Sequence, residues 1–126
     1  MILVDTSVWI DHLNKGSATL AAALDRGDVL THPVIIGELA CGTMKNRRII
    51  LSFLSNLPTA PVATDEETIL FIERHRLMGK GIGYVDAHLL AAATLMDTPR
   101  FWTKDERLSA LAAALGFLRS DPIGGS

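Results

Sequence analysis

The sequence predicts an α/β protein: a three-layer α/β/α domain with a short central parallel sheet and helices on both faces. Three observations carry this. Short apolar segments alternate with stretches of helical period, the pattern of a parallel sheet covered by helices. The first segment, ILV at residues 2–4, has no polar alternation, so a strand there needs cover on both faces. The 126 residues, 48% hydrophobic with a mean hydropathy of +0.28, suffice for one substantial core and exclude a disordered chain.

Taken in order, the apolar start runs into Asp5 and returns at once to Val8, Trp9 and Ile10. A buried, unpaired carboxylate costs several kcal/mol, so Asp5 needs a partner, a proton or a metal. Thr6 or Ser7 can cap a helix to about residue 13, stopped by Asn14-Lys15-Gly16. A helix over 18–24 leads to the turn Arg26-Gly27-Asp28, and 29–31 is a second strand. Pro33 suits the first turn of a helix over 34–42, because a helix start leaves its N–H groups unbonded anyway. RRIILSFLSNL then sets Ile49, Ile50, Phe53, Leu54 and Leu57 at helical spacing.

A third strand is expected around Val62. Thr64-Asp65-Glu66-Glu67 has capping-box spacing, with Arg74 and Arg76 toward the far end as the macrodipole favours, and Gly79 should end that helix. GKGIG reads as a flexible connection to a helix starting near Val85. Residues 101–103 (FWT) form a fourth strand with Trp102 in the core, and 105–115 a helix closed by Gly116. Residues 117–118 add a last short strand. With no repeat or linker, the expectation is one domain over 1–120 and a flexible tail over 121–126.

Composition narrows the setting. Cys41 is alone, so no internal disulfide forms, which fits a reducing compartment; its plainest role is a small buried apolar residue. The apolar start lacks a basic region and is interrupted by Asp5 and Asp11, so it is not read as a signal peptide. No stretch reaches the roughly 18 apolar residues of a membrane span, and a soluble, cytoplasmic protein is expected. Taken alone, the formal charge of −2 argues against a nucleic-acid enzyme. If four of the 14 acids were gathered at one site, however, the remaining surface would carry 12 bases against ten acids.

In such a sheet, ligands bind beyond the carboxyl ends of the strands, where the strand order reverses. Asp5 follows the first strand, and Asp105 lies just past the fourth. Glu38 sits one turn into the helix after the second strand, and Asp86 opens the helix before the fourth. Each also has a plain reading: Asp5 or Asp105 as a cap, Asp86 as a helix-start charge, Glu38 as an ion-pair partner. Glu38 fits its own worst, lying in PVIIGELACG with no basic residue before Lys45. Asp65, Glu66 and Glu67 are adequately explained as charges at a helix start. Clustered carboxylates repel unless a cation is present, and all-oxygen ligation suits Mg²⁺ or Mn²⁺ rather than Zn²⁺. His12, His32, His75 and His88 form no zinc pattern with Cys41 and read as surface or satisfied core histidines.

Four blocks, MILVDTSVWID, PVIIGELACG, GYVDAHLLAAA and FWTKDERL, resemble in order the acidic blocks of the PIN domain, most closely its VapC ribonuclease toxins. The resemblance covers nearly the whole chain and implies a metal-dependent endoribonuclease of a type II toxin–antitoxin module. By position it makes Asp5, Glu38, Asp86 and Asp105 the acidic, metal-binding site, with Asp105 the less firmly assigned. Thr103 matches the hydroxyl residue two before the last acid, and Thr6 and Ser7 the polar pair after the first. It further implies an RNA substrate, a homodimer, and inhibition by a VapB-type antitoxin whose tail enters the acidic groove.

RNA would have to approach through cations outside the acidic site. Lys45, Arg47 and Arg48 are the densest cluster, and Lys80, Arg100, Lys104 and Arg107 lie near the later acidic blocks. Trp9 and Trp102 fall where packing explains them better than base stacking. A haloacid-dehalogenase phosphatase also places an Asp after its first strand, but it needs a second Asp where Ser7 stands. GKGIG lacks the phosphate-loop pattern. The alternative kept is a catalytically inactive PIN-like module that binds RNA or antitoxin.

Overall fold

The computed structural model describes residues 1–117. Strand β1 (Ile2–Val4) lies at the centre of a three-stranded parallel sheet, between β2 (Val29–Leu30) and β3 (Phe101–Trp102). Ile2 and Leu3 register with Val29 and Leu30, and Leu3 and Val4 with Phe101 and Trp102. Alternate side chains of a strand point to opposite faces, and all three residues of β1 are 0% exposed, so both faces are covered. The cover comes from α1 (Thr6–Lys15), α2 (Ala18–Asp25), α3 (Pro33–Cys41), α4 (Arg47–Ser55), α5 (Asp65–His75), α6 (Tyr84–Thr94) and α7 (Glu106–Ala114). α1, α3 and α4 pack as one group, α5 packs on α6, and α7 packs on β3. This is the three-layer arrangement the sequence predicts.

The helix signals act as residue chemistry requires. Ser17 caps α2 by accepting the Leu20 N–H, and Pro33 occupies the first turn of α3. Thr64 and Glu67 exchange both bonds of a capping box at α5. The first helix is capped by Asp5 rather than by Thr6 or Ser7, and through its backbone alone. That leaves the Asp5 carboxylate for other partners.

Other expectations are corrected. No strand forms around Val62, which is half exposed; instead Thr59 makes a single parallel bridge to Thr31. Pro58 and Pro61 flank that bridge without N–H donors, so pairing cannot extend. α5 ends at His75, not at Gly79: Arg76 turns left-handed (φ 52°), and the Leu77 N–H bonds back to Ile72 as the buried Leu77 enters the core. Cys41 is exposed at the end of α3, and Trp102 is only partly buried. Phe117 is not in a strand; Leu118 and the tail lie outside the described residues.

Candidate active site

The strand order β2-β1-β3 means that the chain leaves β1 toward one side and later returns on the other, so the reversal falls at the carboxyl end of β1. Asp5 stands there, 5% exposed. Its Oδ2 accepts the hydroxyls of Ser7 and Thr103, each at 2.8 Å. In turn, Ser7 Oγ accepts the Lys104 N–H at 3.0 Å, and Thr103 Oγ1 accepts the Asp105 N–H at 3.0 Å. Each hydroxyl has one proton, and both protons are committed to Asp5. The carboxylate thereby holds the start of α1 against the loop after β3, and both donors use the same oxygen.

Asp105 caps α7, its Oδ1 accepting the N–H groups of Arg107 and Leu108 at 2.8 and 3.1 Å. Glu38 is exposed, so the argument from its apolar neighbours does not hold; it lies on the outward face of α3 and accepts the buried Thr6 hydroxyl at 2.6 Å. Asp86, in the first turn of α6, accepts the Gly83 N–H at 3.3 Å.

Asp86 ties the four together. Burial pushes its carboxyl above the usual range, the Gly83 N–H partly opposes this, and the charges of Asp5, Glu38 and Asp105 push it further up. The four predicted acids thus share one electrostatic field. Among the described residues, no group of three His, Cys, Asp or Glu side chains stands close enough together to hold a metal ion. The donor set of the four acids is nonetheless all oxygen, the kind a hard divalent cation takes.

Beside Glu38 a groove of about 800 Å³ opens between α1, α3 and the start of α4, lined by apolar Ile10, Leu13, Leu39, Met44 and Ile50. The cations predicted to meet RNA divide into two kinds. Lys45 lines this groove, and Arg48 is exposed. Arg47 instead bonds the carbonyls of Ala40 and Gly42 at the end of α3, and Lys104 pairs with Asp11 at 2.8 Å.

The histidine expectation needs correction. His32 and His88 are buried, but neither is fully satisfied by the described residues: His32 Nε2 and His88 Nδ1 find no hydrogen-bond partner among them. Sequence reasoning also missed the Tyr84 hydroxyl, which donates to Asp65 at 2.6 Å beside His88. Its only sequence signal was an acid at a helix start that the capping box left unused.

The PIN-domain family model matches residues 2–114, and the chain belongs to that family. Within it, the chain is 43% identical over 123 residues to Ribonuclease VapC32 of Mycobacterium tuberculosis strain H37Rv, and equally to that of strain CDC 1551 / Oshkosh. The match covers 98% of this chain and 99% of each relative, which places it among the VapC-type ribonucleases of the family.

Proposed function

We propose that the protein is the toxin of a type II toxin–antitoxin module, a Mg²⁺- or Mn²⁺-dependent endoribonuclease working in the cytoplasm. The observation that carries this is the placement of four acids in a PIN-domain chain, with Asp5 at the end of β1, Glu38 on α3, Asp86 in the first turn of α6 and Asp105 capping α7, their charges acting together on the Asp86 carboxyl. Such repulsion is relieved by a shared cation. Asp5 and Asp86 would hold it directly, Glu38 directly or through water, and Asp105 would complete the site. Asp105 has one oxygen committed to its helix cap, which suits the outermost role. A bound divalent ion supplies Lewis-acid charge for an in-line displacement at phosphorus and makes water acidic enough to attack near neutral pH.

The remaining chemistry belongs to the chain. Thr103 and Ser7 orient Asp5 through Oδ2, and Thr6 orients Glu38. Glu38, the most exposed of these partners to the groove, aligns the attacking water. Lys45 and Arg48 attract the RNA backbone, with Arg47 and Lys104 contributing less because their charges are already engaged.

The apolar groove ending at Glu38 suits the tail of a VapB-type antitoxin. Exposed Leu70 and Leu95, which line one shallow pocket on α5 and α6, and the neighbouring Ile69 support a homodimer. Among the described residues, no helix is long and apolar enough to cross a membrane.

The test uses purified protein freed of any partner. It should cut a structured RNA with Mn²⁺ or Mg²⁺, stop on addition of EDTA, and leave 5′-phosphate and 3′-hydroxyl ends. Asp5→Asn and Asp86→Asn should abolish cutting in folded protein. Products ending in 2′,3′-cyclic phosphate would overturn the mechanism, and a folded, metal-loaded wild type that binds RNA without cutting would establish the inactive binding module instead.

A further inference from the structure

Two buried imidazoles pack against each other. His32 follows β2 and caps α3; it is 0% exposed, and its Nδ1 accepts the Val34 N–H at 3.1 Å. An Nδ1 that accepts is bare, so the ring's proton sits on Nε2, a donor with no partner among the described residues. His88, on α6, is 8% exposed, and its Nε2 lies 3.8 Å from Asp65 Oδ1. The carboxylate favours the proton on that nitrogen, which leaves Nδ1 a bare acceptor, also without a partner among the described residues. The rings meet edge to face, centroids 5.5 Å apart and planes at 71°. Tyr84 packs edge-on against His88 and donates to the same Asp65. The two nitrogens do not bond each other, so what joins the rings is their edge-to-face packing.

Their places in the helices give the pair a consequence for the site. His88 follows Asp86 by two residues, about 200° around α6, so it faces away from the site while Asp86 serves it. His32 begins α3, and Glu38 lies six residues on, about 9 Å along the axis. The contact therefore joins the root of the helix bearing Glu38 to the back of the helix bearing Asp86. A leucine pair would fill the volume, but without the edge-to-face ring contact or the approach to Asp65 and Tyr84.

We infer that His32 and His88 are positioning residues, a buried pair that sets α3 against α6 and so fixes the separation of Glu38 from Asp86. This rests on the reading of those acids as ion ligands given above. Neither imidazole touches the reacting atoms; they act through the two carboxylates.

The test measures Mn²⁺ affinity by electron paramagnetic resonance of the free ion, alongside urea unfolding. His32→Asn keeps an acceptor for the Val34 N–H and removes the ring. His88→Gln keeps a donor toward Asp65 and removes the bare acceptor. Each should weaken Mn²⁺ binding about tenfold, the scale on which lost supporting partners lower metal affinity. The double variant should be little weaker than either single one, since both delete the same contact. Wild-type affinity in both variants, while Asp86→Asn loses binding, would overturn the positioning role alone, whether or not stability falls. Mn²⁺ binding that Asp86→Asn leaves intact would overturn the site reading, and the positioning role with it.

Discussion

Thr103 donates its hydroxyl to Asp5 Oδ2 at 2.8 Å across 98 positions of sequence. The bond joins the ends of β3 and β1, so it exists only when the parallel sheet is assembled. Folding and the orientation of the site's most buried carboxylate are thus one event.

Thr103→Val keeps the side-chain shape and deletes this donor. Leaving a buried carboxylate short of a partner costs about 1–3 kcal/mol, and the urea midpoint should fall accordingly. Cutting should drop about 10- to 100-fold, as when a ligand loses its supporting hydrogen bond, and Thr103→Ser should restore most of it. Initial rates on one RNA at saturating Mn²⁺ check this.

Asp86 makes a prediction with a definite sign. Its carboxyl titrates above the ordinary 3.8 because of burial, then the charges of Asp5, Glu38 and Asp105. The fold therefore takes up this proton before the unfolded chain does, and the cost of ionised Asp86 is full above its folded pKa and relieved as pH falls through it. Asp86→Asn should stabilise the metal-free protein at pH 7, with a gain that shrinks toward acid pH, while abolishing cutting. Urea titrations across pH check the sign. Saturating Mn²⁺ should instead favour the wild type, by about 2.7 kcal/mol at a hundredfold excess over Kd.

His32 acts in the opposite direction. Burial, and then the neighbouring His88, lower its pKa from 6.5 to about 4. Between those values the unfolded chain binds a proton that the fold refuses. Its contribution is full above about pH 6.5 and is lost as pH falls toward about 4, on the order of 3 kcal/mol in all. His32→Asn should remove this part of the stability profile.

The basic residues separate in salt. Lys45→Ala should weaken RNA binding and reduce the slope of log affinity against log salt by about one, the signature of a lost phosphate contact. Arg47→Ala should change that slope less and lower the urea midpoint instead, because its guanidinium holds the carbonyls that end α3.

These residues also mark what the sequence made legible. Ile2–Val4 announced a strand covered on both faces because three apolar residues cannot all be buried on one face, and Asp5 stood out because the same segment makes a lone carboxylate costly. Asp105 and Asp86 fell at helix starts, where local chemistry locates them. Glu38 falls on the helix after the second strand, as expected, but its exposure was not foreseen, because helix periodicity cannot say which neighbour fails to cover a face. The strand expected at Val62 and the end of α5 depended on Pro61 and on Leu77 finding the core, which are tertiary outcomes. His32 and His88 lie 56 positions apart, and nothing local to either one signals the other.

The central claim is that Asp5, Glu38 and Asp86 hold one hard cation at the carboxyl edge of β1. Anomalous scattering from crystals soaked in Mn²⁺ tests it most directly. The expected result is a peak about 2.1 Å from an Asp5 oxygen and an Asp86 oxygen, with Glu38 in direct or water-mediated contact, and no such peak in Asp86→Asn. A saturated crystal with no peak among these carboxylates, or with one unaffected by Asp86→Asn, would contradict it.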